Sequence, residues 1–199
     1  MTVSPPDNLD LIRRVLGANL LELGLGHLSV DEQPDGETRV KVGVIEGGKA
    51  YDVEGQGVGL VHAVYNALLD RFAIEYQSLK SIELAGFTVD ADVETKKDKA
   101  GVDAVGKVTL DVTNSEGRRF TFSDSSRSVS ASVARAVLAV VQYFVNAERA
   151  FILLHKARRD AVERGRHDLV ARFTAELAEV VESTSYAEVI ESIKKDAGV

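Results

Sequence analysis

Hydrophobic positions along this chain change their period several times, and each change marks an element. Leu9, Ile12, Leu16 and Leu20 recur every three to four residues, the spacing of one buried helix face. Asp7 or Asn8 is placed to cap that helix, and Gly24 or Gly26 to end it. From Leu25 the pattern alternates, with a turn at Pro34, Asp35 and Gly36. Val40, Val42 and Val44 fall on one side and Lys41 and Gly43 on the other, which predicts a half-buried strand. Gly47-Gly48 predicts a tight hairpin into a third strand through Ala50, Tyr51 and Val53. Gly57 and Gly59 then interrupt the alternation before Leu60, Val61, Val64, Leu68 and Phe72 resume a helical spacing. The unit reads as three strands, a flexible glycine turn and a helix.

The same order recurs roughly 70 residues later, an internal repeat. Ile82 and Leu84 alternate on one phase and Phe87, Val89 and Ala91 on the other, so a bulge at Ala85-Gly86 re-aims one long strand. Val108, Leu110 and Val112 form the next strand, and a turn over Asn114 to Gly117 leads to Phe120 and Phe122. The hydroxyl-rich run Ser123 to Ser130 leads into a helix through Val133, Val137, Val140 and Phe144. The expected fold is therefore α+β, a duplicated three-strand-plus-helix unit with pseudo-twofold symmetry.

After Asn146 the pattern becomes charge-rich and helical. Phe151, Leu154 and Ala161 continue one apolar line to Gly165, and Leu169, Phe173, Leu177 and Val180 begin another. Ser185 and Glu188 form a capping-box pair before a last short helix around Val189 and Ile193. This divides the chain into an N-terminal helix (1–24), a core (25–146, with repeats about 25–74 and 79–146) and a helical tail (147–199) that packs on the core or on a partner.

Composition narrows the function classes. The 199 residues with 45% hydrophobic content suffice for one ordinary domain plus appendages. A formal net charge of -7 argues against a phosphate-backbone binder, so no nucleic-acid partner is expected. Lys96, Lys97 and Lys99 are interrupted by Asp98 and read as a solvated hairpin tip. With no cysteine there is neither a disulfide framework nor a thiolate site. The N-terminus lacks a basic region followed by an apolar core, and the apolar run Ala136 to Val145, interrupted by Gln142, is short for a bilayer span. A cytoplasmic protein with no membrane partner is expected.

Three segments carry a resemblance. Gly57-Val58-Gly59-Leu60-Val61-His62-Ala63-Val64-Tyr65-Asn66-Ala67-Leu68 resembles the glycine-x-glycine-proline-valine-acidic-alanine motif, ending asparagine-alanine-leucine, of the C-terminal regulatory domain of 2-isopropylmalate and citramalate synthases. Leu84 to Ala91 resembles that domain's leucine-x-aspartate-tyrosine-x-valine-x-alanine strand, and Gly101 to Val108 its glycine-x-aspartate-alanine segment. The family's domain is a duplicated three-strand-plus-helix unit that dimerises and binds the end-product amino acid as a feedback inhibitor. The resemblance thus implies a homodimer, a separate synthase subunit as a further candidate partner, and a branched-chain amino acid or related small acid as ligand. The chain departs from the motif at Val58 (polar in the family), Leu60 (proline) and His62 (acidic), and Ser123-Asp124-Ser125-Ser126 stands where the family has a glycine-containing approach to its second helix.

The candidate site follows from the turn and the resemblance together. Backbone N–H groups at the start of a helix attract a carboxylate, which places a ligand's carboxylate at the Gly57, Val58, Gly59 and Leu60 turn with its side chain against Val58, Leu60, Val89 and Ala91. Ser125 and Ser126 supply alternative polar contacts, and His62, on a polar helix face with Asn66 and Asp70, is either a ligand contact or a solvated or interface histidine. The plainer reading of the two glycines is that they let the chain turn and pack closely. No catalytic residues, metal ligands or cofactor are expected: the four histidines are scattered, and the serine run has no positioned base. The synthases' catalytic barrel would need far more chain than the N-terminal helix supplies. Two functions remain open, a ligand-binding regulatory module and a dimerisation or scaffold protein that kept the fold without the ligand.

Overall fold

A computed structural model describes residues 8–91 and 105–182. Its elements run in the order α1 (Leu9–Leu16), β1 (Leu23–Glu32), β2 (Glu37–Glu46), β3 (Lys49–Val58), α2 (Gly59–Ala73), β4 (Glu83–Ala91), β5 (Gly106–Thr113), β6 (Arg119–Ser126), α3 (Val129–Glu163) and α4 (His167–Glu182), with short 3-10 turns at Gly17–Asn19 and Gln77–Ser81. Two antiparallel sheets result, β1-β2-β3 and β4-β5-β6, each followed by a long helix. The fold is α+β and built from the duplicated unit. The Ser185/Glu188 helix and the Lys96–Lys99 tip lie outside the described residues.

The bulge expected in β4 is present, where the register slips between Leu84 and Gly86. Its first-copy counterpart in β1 slips between Leu25 and His27, at Gly26. Gly26 therefore does not end α1. That helix stops at Leu16, because Gly17 leaves the helical region at φ 52°, and Leu20 lies beyond it. Asn8 occupies the cap position without making the cap bond, and its Oδ1 accepts instead from the Tyr143 hydroxyl at 2.8 Å.

Helix α3 continues without a break through Asn146, where the composition changes. It is long and apolar enough to cross a bilayer by length and composition, but 72% of its most apolar window is buried inside this fold. Ring contacts among Phe120, Phe122, Tyr143 and Phe144 pack it onto the second sheet. It also lies on β1 of the first sheet, while α2 covers β2 and β3. Val40, Val42, Val44, Val108, Leu110 and Val112 point from both sheets into the common core.

α4 returns along α3 and α1. Phe151, Leu154 and Val180 form a second small core with Leu11, against which Phe173 and Leu177 pack. The tail's apolar line is thus used within the chain.

Candidate functional site

The glycine segment divides into two roles. Gly57 is not in the turn: it is a strand residue of β3 paired with Thr38. A Cβ on it would meet the backbone nitrogen of Ala63 at 2.7 Å, and one on Gly55 the backbone of Ala67 at the same distance. These two glycines let α2 lie directly on β3, the close-packing reading. Gly59 alone makes the turn, at φ 77° with open space around it.

Helix α2 starts at Gly59 with no side-chain cap. The amides of Leu60 and Val61 consequently have no acceptor within the helix. The two preceding amides are occupied: Gly59 N–H donates to the Gly36 carbonyl at 2.9 Å, and Val58 N–H to His62 Nδ1 at 3.3 Å. Asn66 Nδ2 donates to the Gln56 carbonyl at 3.0 Å. His62 and Asn66 therefore stitch α2 to the end of β3, a backbone role that the polar face of the sequence did not specify. Val58 is 77% exposed and Leu60 partly buried beside this helix start.

The residues expected from the second copy lie on the other sheet. Val89 pairs with Val108, whereas Ala91 and Ser126 share one cross-strand row through Gly106. Ser125, one residue out of phase with Ser126, is exposed. Both serines belong to β6 and not to the approach to the helix. The cap of α3 is Ser128, whose Oγ accepts from Ala131 N–H at 3.2 Å. Ser126 Oγ is committed to the same junction, donating to the Ser128 carbonyl at 2.9 Å and lying 2.9 Å from Ser132 Oγ. No ladder joins the two sheets, so each half of the expected site stands on its own sheet.

The coverage of the two sheets is unequal. Directly paired residues project to one side of a sheet, so Phe87 and Val89 project to the same side as their partners Leu110 and Val108, the side on which α3 lies. That helix rests on β5 and β6, and Phe87 and Val89 remain 53% and 45% exposed. In the first copy the equivalent edge strand, β1, is covered by α3.

Elsewhere, polar groups serve structure. On the outer side of the first sheet Lys41 is held at 3.0 Å by Asp52, which raises its pKa, and the His27 ring lies against Gly43. The Tyr51 hydroxyl, pushed up to about 12 by burial and by its bond to Glu46, is not acidic. No group of His, Asp or Glu among the described residues could hold a metal ion.

A duplicated sheet-and-helix domain with an apolar edge left open is an arrangement suited to assembly. The sequence profile of the LeuA allosteric (dimerisation) domain matches residues 2–145. The chain belongs to that family. The match takes in α1, both sheets, α2 and the first half of α3, and stops just before Asn146. Among curated proteins none matches this chain.

Proposed function

We propose that the chain is a cytoplasmic, non-catalytic regulatory module, a homodimer that binds a branched-chain amino acid or a related small acid at the start of α2 and acts on a separate synthase subunit. The observation that carries this reading is the uncapped helix start at Gly59. The free amides of Leu60 and Val61 and the positive end of the helix dipole favour a carboxylate there. Val58 and Leu60 make its surroundings more apolar than the family motif, which favours altered selectivity over the family's leucine response. In a homodimer, the open strip along β4 with Phe87 and Val89 is the surface available to meet a second copy, with Ser125 and Ser126 two strands away at the end of β6.

The test is thermal unfolding with leucine, isoleucine, valine and the corresponding 2-oxo acids. A ligand at a hundred times its Kd adds about 2.7 kcal/mol of stability. Val58→Asp would place a capping carboxylate at the helix start, keeping the fold while repelling the ligand. Stabilisation of the wild type that vanishes in Val58→Asp supports the reading; no stabilisation by any of these compounds contradicts it. A second reading, dimerisation without a ligand, is favoured by the occupied amides of Val58 and Gly59, and it predicts no stabilisation together with a stable dimer.

A further inference from the structure

The segment joining α1 to β1 crosses α3 and is tied to it twice. Gln142 Oε1 accepts from Leu23 N–H at 2.8 Å, and the Asn146 amide takes both backbone groups of Leu21. Arg149 is the next residue on that side of the helix, seven after Gln142. It is partly buried, yet it has no hydrogen-bond or ion-pair partner among the described residues. It lines a pocket of about 640 Å³ between this segment and the β2–β3 hairpin, a volume in the range of small-molecule sites. Leu20 and Ile45 contribute apolar wall. Glu22 and Glu46 lie on the same pocket, and Glu46 also accepts from the Tyr51 hydroxyl at 2.8 Å.

We propose that this pocket is a binding site for a small organic monocarboxylate with a short apolar tail, held by Arg149. The planar guanidinium fork matches a carboxylate with two parallel N–H donors. Glu22 and Glu46 leave the lining at a net charge of −1, so a dianion such as phosphate is repelled more strongly than a monoanion held on the guanidinium. The apolar wall takes the tail. The lining shares no residue with the turn at Gly57 to Leu60, so the site is separate from the one at the start of α2.

The test follows the Arg149 Nε–H signal in 15N-labelled protein during titration with isobutyrate, its neutral isostere isobutyramide, and inorganic phosphate. Isobutyrate is expected to give a saturable shift with a millimolar Kd, weakened about tenfold or more in Arg149→Gln and retained in part in Arg149→Lys. Isobutyramide and phosphate should give none. Val58→Asp should leave this titration unchanged, which separates the site from the regulatory reading. A titration without saturation, equal binding by Arg149→Gln, or phosphate binding tighter than isobutyrate would overturn the proposal.

Discussion

The side-chain amide of Asn146 holds both backbone polar groups of Leu21, accepting its N–H at 2.7 Å and donating to its carbonyl at 2.8 Å across 125 residues of sequence. This bond pair ties the start of the first sheet to the middle of α3. Asn146→Leu leaves two buried backbone groups unsatisfied and should cost about 2–4 kcal/mol. Urea unfolding measures it, and a loss below about 0.5 kcal/mol would show that water replaces the amide without penalty.

The glycines of the 57–59 segment should respond differently to substitution. Gly57→Ala forces α2 off β3 and should cost about 1–3 kcal/mol, with amide shifts along the whole helix. Gly59→Ala meets no neighbour and carries only the strain of φ 77°, about 1–2 kcal/mol. Gly59→Asn should cost less than Gly59→Ala, because asparagine tolerates that conformation. Equal costs for alanine and asparagine at position 59 would exclude the backbone explanation.

Much of the fold was legible in the sequence because its signals are local. Alternation gave the strands, Gly47-Gly48 gave a hairpin with both residues at positive φ, and the phase change around Ala85 gave the bulge. What escaped depends on tertiary partners. Gly57 looks like a turn residue beside Gly59, and only the helix lying on β3 makes it a packing position. The change of composition at Asn146 reads as a boundary, yet Asn146 and Glu148 are buried polar residues held by Leu21 and Ser78, so the helix continues. Six serines between positions 123 and 132 compete for one cap, and local pattern does not choose Ser128 over Ser125.

That choice is itself testable. Ser128→Ala removes the bond to Ala131 N–H and should destabilise α3 by about 1 kcal/mol, whereas Ser125→Ala, at an exposed strand position, should fall within about 0.5 kcal/mol of wild type. Chemical denaturation of the two variants side by side decides it; a larger loss at position 125 would contradict the assignment.

The packing of α4 should depend on pH. His155 stacks on Phe151, 6.4 Å between ring centroids, in the small core beneath α4. Burial, with Arg158 and Arg159 nearby, holds its pKa below the usual 6.5. The folded state therefore binds fewer protons than the unfolded one, and this contribution is complete above pH 6.5 and lost as pH falls through the lowered folded value. The melting temperature should drop modestly between pH 7.5 and 5.5, and less so in His155→Phe. An unchanged pH dependence in that variant would remove His155 as its source.

Sedimentation equilibrium of the wild type and Phe87→Asp measures directly whether two copies meet at the open edge of the second sheet. Phe87 is 53% exposed on the edge strand of the second sheet, so the variant should fold. The wild type should show twice the chain mass at micromolar concentration and Phe87→Asp the single-chain mass. A monomeric wild type at high micromolar concentration, or a Phe87→Asp protein that remains a dimer, would contradict an interface at that edge.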